Sequence, residues 1–149
     1  MIAYFDTSAL IPLLVEEPGS ARAGRVWDAA DHVTSVRLVY TEARAALEQA
    51  ARLGRLASGD LTLAVDGFEA LYDQLDLLDI DDDLVRRAGD LAQHHALRGY
   101  DALHLAAVER VRGETTIMVT GDRELCAAAG ALSLAVADTS VDHPSHWRP

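Results

Sequence analysis

Apolar residues follow two different patterns along this chain of 149 residues. Short apolar runs bounded by turn-forming residues are typical of buried strands. Between these runs, apolar residues recur at the spacing of a helix, and polar residues that favour helix starts precede several of the stretches. The predicted strands cover residues 2–5, 32–36, 75–80, 115–120 and 132–136.

The predicted helices lie between these strands. A first helix opens at Asp6 or Thr7 and ends near 18–19, where a proline and a glycine follow each other. Ser20 is expected to cap a second helix over 20–30. The remaining predicted helices cover 38–53, 58–75 with Ser58 as cap, 81–97, 101–111 and a stretch opened by Asp122.

Strands that alternate with helices predict a parallel sheet, because parallel strands need long crossover connections that are usually helical. The predicted fold class is therefore α/β, with a Rossmann-like parallel sheet and helices on both faces. The sequence has no internal repeat, linker or low-complexity segment. We therefore expect residues 1–149 to form a single domain, with an irregular tail from about residue 138.

The charge of the chain is strongly acidic. It contains 24 acidic residues, 13 arginines and no lysine, for a net charge of −11. This balance argues against a protein that coats nucleic acid through a basic surface. It does not exclude an enzyme that binds a short stretch of phosphate backbone, because metal ions and a few arginines reverse the local field.

Three features of the sequence favour a cytoplasmic protein. No apolar run approaches the roughly 20 residues of a membrane span. The first residues, MIAYFDTSAL, contain no basic leader. The single cysteine, Cys126, lies in an alanine-rich helical stretch, where we expect a small buried apolar side chain; a chain without a second cysteine suits a reducing compartment.

Four acids stand in short, well-marked contexts: Asp6, Glu42, Asp101 and Asp122. Three of them follow an apolar run or a chain break and open a predicted helix, and Glu42 lies in the first turn of another. If the strands form one parallel sheet, all four carboxylates gather at its carboxyl edge, where open α/β folds bind ligands. Because clustered carboxylates need a compensating cation, the pattern predicts a divalent metal and metal-assisted hydrolysis.

Each of these acids also has a purely structural explanation. A carboxylate at a helix start caps the helix and meets the positive end of its dipole, which contributes about 1 kcal/mol. For one acid taken alone, capping is the better explanation. The joint pattern favours a site, because Asp6 directly follows a buried strand and Glu42 and Asp101 border apolar helix faces. The dipoles would also lower the pKa of carboxyl groups at helix starts and keep them anionic for a metal.

Four motifs occur in a fixed order: DTSAL at 6–10, YTEA at 40–43, DALHLA at 101–106 and TGD at 120–122. Together they resemble the PIN domain, and more narrowly the compact VapC-type toxins of prokaryotic toxin–antitoxin pairs. The resemblance runs from residue 2 to about residue 136 with the expected spacing. It implies a PIN-like fold and a ribonuclease that depends on Mg²⁺ or Mn²⁺. It also implies that the four acids bind the metal.

The mechanism that the resemblance implies gives each acid a role. Asp6 and Asp101 are expected to bind the metal directly, and Glu42 to bind it or to orient the attacking water. Asp122 is expected to serve a second metal position. Phosphodiester hydrolysis needs an acidified water and neutralised phosphoryl and leaving oxygens, which one or two divalent ions supply.

Hydroxyl groups next to these acids are candidates for a supporting role. Thr7, Ser8 and Thr120 could hydrogen-bond the carboxylates or the scissile phosphate. Plain helix capping explains the three hydroxyls about as well.

Two further side chains near Asp101 are candidates, and a histidine pair in the tail is not. His104 lies three residues after Asp101 on the same helix face; it is either a partner of the metal ligands or, more simply, a buried histidine beneath the site. Arg98 could hold an RNA phosphate or be an ordinary surface arginine. We expect His143 and His146 to be solvated rather than to bind zinc.

Two other classes of function remain open at this point. The first is a catalytically silent PIN-like binding module, whose acids capture an arginine of a partner. The second is a small-molecule phosphatase of another α/β family. FDTSAL lacks the second aspartate of the DxDxT motif of haloacid-dehalogenase-like enzymes, and no P-loop motif is present.

Partner proteins are expected on two grounds. An anionic pocket in a chain of net charge −11 suits a basic peptide. The resemblance implies a small antitoxin with an arginine or lysine near Asp6 and Asp101, and it implies a homodimer. Apolar residues on several faces of the helices over 38–53 and 81–97 also favour self-association.

Overall fold

Within residues 1–57 and 59–140, which the computed structural model describes, five strands alternate with seven α-helices. The strands are β1 (Ile2–Phe5), β2 (His32–Val36), β3 (Asp76–Leu78), β4 (Thr116–Thr120) and β5 (Ala135–Asp138). The helices are α1 (Thr7–Leu10), α2 (Ser20–Ala29), α3 (Leu38–Arg52), α4 (Asp60–Tyr72), α5 (Asp82–His95), α6 (Gly99–Arg110) and α7 (Arg123–Ala131), and a 3-10 turn over Ile11–Leu13 follows α1.

The strands form one parallel sheet in the order β3-β2-β1-β4-β5, so the predicted fold class is confirmed. The central strand β1 pairs with β2 on one side and with β4 on the other, and Ala3 lies opposite Val33 and Ile117. The chain winds outward from β1 to β3 and then returns to the other side of β1. The carboxyl ends of β1 and β4 therefore flank the point where the winding reverses, which is where sheets of this kind bind ligands.

Helices cover both faces of the sheet, as the pattern predicts. Tyr4 of β1 belongs to a buried cluster with residues of α5, α6 and α7. Its neighbours Ala3 and Phe5 belong to a second cluster, which includes residues of α1 and α2, because successive side chains of a strand point to opposite faces. Leu47 of α3 and Phe68 of α4 belong to a third buried cluster, which packs these two helices together. Among the helices of the described residues, none has the length and apolar character needed to cross a membrane.

The prediction for the first helix is wrong in length. α1 ends at Leu10 and passes into the 3-10 turn instead of continuing to 18–19. Pro12 has no N–H to donate to the preceding turn, so a regular α-helix is interrupted there. Ser20 is the first residue of α2 and not its cap; its Oγ accepts a hydrogen bond from the N–H of Glu17 at 2.9 Å.

Two site acids differ from prediction in their place on a helix. α3 begins at Leu38, so Glu42 lies beyond its first turn, where the helix dipole has little effect. α6 begins at Gly99, so Asp101 lies inside the first turn and does not open the helix.

Two other elements are shifted relative to their predicted bounds. The last strand is Ala135–Asp138 rather than 132–136, because the chain after α7 turns through Ser133, which has a φ of 57°. The helix predicted over 58–75 is shorter and follows Gly59. The predicted cap Ser58 lies outside the described residues.

Candidate active site

Asp6 lies at the carboxyl end of the central strand and is the N-cap of α1. Its Oδ1 accepts a hydrogen bond from the N–H of Ala9 at 3.1 Å. The Oγ of Ser8 lies 2.8 and 2.9 Å from its two carboxylate oxygens, and the Oγ1 of Thr120, at the end of β4, donates to Oδ2 at 3.0 Å. Two neighbouring strand ends therefore hold one buried carboxylate in a fixed orientation.

Burial determines the charge state of Asp6. Loss of water raises the pKa of this carboxyl group to about 6, although the charge of His104 and hydrogen bonds from Ser8, Thr120 and Ala9 oppose the change. The expectation that a helix dipole lowers the pKa is therefore wrong for Asp6, since α1 has only four residues and desolvation outweighs its dipole. A buried carboxylate with so little compensation favours a bound cation.

Glu42 reaches the same edge of the sheet from α3. Its Oε1 accepts hydrogen bonds from the Oγ1 of Thr7 at 2.9 Å and from the Nε2 of His104 at 2.6 Å. Burial acts to raise the pKa of Glu42, but His104, Thr7 and the charge of Arg98 act against it, and the net pKa lies below the ordinary value. Glu42 is therefore ionised at neutral pH.

His104 is fully buried in α6 and connects the site to the core. Its Nδ1 lies 2.9 Å from the hydroxyl of Tyr4, while its Nε2 faces Glu42. Burial acts to lower the pKa of His104, yet the hydrogen bond to Glu42 and the charges of Asp6, Glu42 and Asp101 raise it above its ordinary value. Both explanations given for His104 thus hold together: it is a buried histidine, and it contacts a predicted metal ligand.

Asp101 and Asp122, at the starts of α6 and α7, share one cation. The Nε of Arg98 donates to Oδ2 of Asp101 at 2.7 Å, and its Nη2 donates to Oδ2 of Asp122 at 3.4 Å. Asp122 is also the N-cap of α7 and accepts a hydrogen bond from the N–H of Leu125 at 2.8 Å. Capping therefore accounts in part for Asp122 and Asp6, whereas Asp101 caps no helix.

The loop after β4 closes tightly over this edge. The N–H of Gly121 donates to the Oγ of Ser8 at 2.8 Å, and the N–H of Asp122 donates to the Oγ1 of Thr120 at 3.1 Å. A Cβ at Gly121 would lie 3.0 Å from the Oγ1 of Thr139 and 3.5 Å from the Oγ of Ser8. The absence of a side chain at Gly121 leaves room for the Ser8 hydroxyl, which contacts Asp6.

The residues predicted for the site thus come together. One hydrogen-bonded group joins Asp6, Ser8 and Thr120; a second joins Glu42, Thr7 and His104; Arg98 joins the other two acids. His143 and His146 lie outside the described residues. Sequence reasoning missed Tyr4, for which the available signal was a tyrosine in a buried strand, since its hydroxyl needs a partner. It also missed the pairing of Arg98 with Asp101, which their spacing of three residues permits.

The donor set fits a hard divalent cation. All four acids offer carboxylate oxygens, which Mg²⁺ and Mn²⁺ prefer, and Asp6 is buried with its charge poorly compensated. Across 1–57 and 59–140, no three acid, histidine or cysteine side chains converge closely enough to hold a metal ion as they stand. Arg98 instead neutralises Asp101 and Asp122. A metal bound by these carboxylates would therefore compete with the arginine for their charge.

Fold and site together define an α/β domain with a carboxylate cluster at the switch point of its sheet. A sequence model of the PIN domain matches residues 3–131. The chain belongs to the PIN domain family, as its motifs predict. Ribonucleases of this family generally depend on a divalent metal. The alternative of a phosphatase from another α/β family is excluded.

Individual relatives agree with this assignment. The chain is 38% identical over 141 residues to Ribonuclease VapC45 of Mycobacterium tuberculosis, covering 95% of this chain and 98% of the relative. Its structure is similar to the crystal structure of PAE2754 from Pyrobaculum aerophilum, with a TM-score of 0.66, 25% identity and coverage of 86% and 87%. A toxin–antitoxin complex from Klebsiella pneumoniae has the same fold, with a TM-score of 0.64, 20% identity and coverage of 92% and 97%.

Proposed function

We propose that this protein is a metal-dependent endoribonuclease, the toxin of a type II toxin–antitoxin pair, which hydrolyses RNA phosphodiester bonds. The observation that carries the proposal is the position of Asp6: a buried carboxylate with a pKa of about 6, held by Ser8 and Thr120 at the switch point of the sheet. The identity to a VapC ribonuclease supports the substrate class. Mg²⁺ is the proposed metal, with Mn²⁺ as the alternative.

In this proposal Asp6 and Asp101 hold the metal, and Glu42 and Asp122 supply further oxygen donors. The bound divalent ion would make a water molecule more acidic and would neutralise charge on the phosphoryl and leaving oxygens. Ser8 and Thr120 keep Asp6 in place by hydrogen bonds. Glu42 is fixed through one oxygen by His104 and Thr7, so its other oxygen is available to orient the attacking water.

The proposed partners are an antitoxin and a second copy of this chain. A net charge of −11 and four acids at one edge favour a basic segment from the antitoxin. Self-association is supported by exposed apolar side chains, among them Leu53, Leu63 and Val85. Light scattering at micromolar concentration tests the dimer: the expected particle has twice the 16.1 kDa of the chain, and a particle of single mass contradicts it.

We also propose that residues 1–149 form one nuclease domain that works in the cytoplasm. The match of the family model to 3–131 supports the single domain. Cys126 is a free thiol, and burial raises its pKa to about 11, which keeps the group protonated and little reactive. A single free thiol suits a reducing compartment. Cell fractionation of the tagged, inactive protein with its antitoxin tests the location.

The proposal is tested by RNA cleavage with Mg²⁺ present and after chelation. Asp6→Asn and Asp101→Asn should each abolish cleavage, because an amide brings no charge to the metal. Asp82→Asn is the matched control, since Asp82 lies in the first turn of α5 and pairs with Arg86 much as Asp101 pairs with Arg98. Cleavage that survives Asp101→Asn in a folded protein contradicts the assignment. Wild-type protein that binds RNA or antitoxin but cuts nothing favours the binding module instead.

A further inference from the structure

Arg98 differs from the other arginines of the described residues in its partners. Its guanidinium pairs with two acids of the candidate site, Asp101 and Asp122. The other arginine–carboxylate pairs in 1–57 and 59–140 use acids outside the site. The side chain of Arg98 is 72% exposed, whereas that of Asp101 is 11% exposed. An exposed cation therefore pairs with a largely buried anion.

We propose that Arg98 is an exchangeable counter-cation of this site, which neutralises Asp101 and Asp122 until a divalent metal ion displaces it and which then contacts a phosphate of the RNA. The inference deepens the proposed function and rests on it for the RNA step. The metal step concerns only this chain and a divalent ion.

Competition follows from the atoms involved. The Nε of Arg98 donates to Oδ2 of Asp101 at 2.7 Å, so the guanidinium occupies one of the two oxygens that Asp101 could offer to a metal. Arginine stays protonated in proteins, so Arg98 cannot lose its charge when a metal ion binds and must move away instead. A guanidinium and a divalent cation on the same carboxylate repel each other, so each weakens the binding of the other.

The position of Arg98 makes its departure easy. It is the N-cap residue of α6, but its side chain makes no capping hydrogen bond, so the helix start does not depend on it. Its exposure means that moving the guanidinium uncovers little apolar surface. The planar fork of N–H donors that now faces two carboxylates also matches the oxygens of a phosphate.

The simpler explanation is a surface ion pair that ties α6 to α7. Exposed pairs of this kind contribute little to stability. The two explanations predict opposite results for metal binding. Loss of a structural tie would leave metal affinity unchanged or weaken it through disorder of Asp101, whereas loss of a competing cation should strengthen it.

The deciding experiment is calorimetric titration of the metal-free full chain with MnCl₂, without RNA. Arg98→Gln should bind Mn²⁺ about tenfold more tightly at low salt, and the gain should shrink at high salt because screening weakens the repulsion. Arg98→Lys keeps the charge and should stay near wild type. Arg52→Gln is the matched control, because Arg52 is also exposed, at 70%, and is also paired with an acid, Glu48. Arg52 lies about 15 Å from Glu42 along α3.

The RNA step is read from cleavage kinetics at saturating metal. Arg98→Gln should raise KM about tenfold while kcat changes much less, because a lost phosphate contact weakens substrate binding. Equal or weaker Mn²⁺ affinity in Arg98→Gln overturns the counter-cation role, and an unchanged KM overturns the phosphate contact. If the wild type cuts no RNA, the proposed function fails, and the titration still decides the competition.

Discussion

The Nε2 of His104 lies 2.6 Å from Oε1 of Glu42, and this contact connects the candidate site to the interior of the protein. Glu42 is ionised and can only accept, so the Nε2 of His104 carries a proton. The other ring nitrogen faces the hydroxyl of Tyr4, a buried residue of the central strand. Tyr4, in the central strand of the sheet, thus helps to orient the Glu42 carboxylate through His104.

A first prediction concerns this buried chain of hydrogen bonds. Tyr4→Phe should lower the free energy of unfolding by about 1–3 kcal/mol, because it leaves a nitrogen of buried His104 without its partner. Urea unfolding measures the change. Tyr40→Phe is the comparison, since its hydroxyl hydrogen-bonds Glu69 in a partly exposed place and should matter less. A larger effect of Tyr40→Phe than of Tyr4→Phe contradicts the prediction.

A second prediction is the pH dependence of the metal-free protein. The pKa of Asp6 is about 6 in the fold, against an ordinary value of 3.8. Between these values the unfolded chain has released a proton that the fold retains, so the contribution of Asp6 to stability falls as the pH rises through this window and stays low above it. The full effect is roughly 3 kcal/mol, as an order of magnitude.

Asp6→Asn isolates this contribution. Asparagine is an equally good N-cap, so α1 keeps its start while the buried charge is gone. With chelator present, the stability of Asp6→Asn relative to wild type should therefore increase between about pH 4 and about pH 7.5, as urea unfolding reports. A difference that is the same at both pH values shows that Asp6 does not titrate in this window.

A third prediction concerns addition and removal of metal. A ligand that binds only the folded state stabilises it, so Mg²⁺ or Mn²⁺ should raise the Tm of the wild type and chelator should reverse the change. Asp6→Asn should show little or none of this increase, because Asp6 is the proposed ligand with the least compensated charge. Asp82→Asn should respond as the wild type does, because Asp82 pairs with Arg86 and with none of the site residues. An equal increase in all three proteins would mean that the metal binds elsewhere.

A fourth prediction separates the two roles of Asp122. Asp122→Ala should lose about 1 kcal/mol of stability, because the N–H of Leu125 loses its cap, and Asp122→Asn should regain most of that loss. RNA cleavage should fall in both variants, since neither has a charge at this position. Chemical unfolding and cleavage are measured on the same preparations. Full cleavage by Asp122→Asn would show that Asp122 acts only as a helix cap.

The local pattern of residues predicts several elements of the fold correctly. The apolar run IAYF predicts β1 with its observed bounds, and HVTSV, with its β-branched residues, does the same for β2. Element ends were less predictable. α1 ends at Leu10, where the chain enters the 3-10 turn that contains Pro12. β5 begins only at Ala135, after the turn through Ser133.

Local motifs identify the residues of the candidate site: four acids in short motifs, three of which follow strands, with hydroxyl residues beside them. Asp6, Glu42 and Asp122 come after β1, β2 and β4, and a parallel sheet brings the carboxyl ends of its strands to one edge whatever their order. Asp101 instead follows α5 and is placed by α6. The differences among the four acids arise from contacts that only the folded chain makes. Asp6 is buried and its pKa is raised, Glu42 is bound by His104, and Asp101 and Asp122 share Arg98. Such differences come from desolvation and from partners as many as 114 residues apart in sequence, and neither can be read from the neighbours of an acid along the chain.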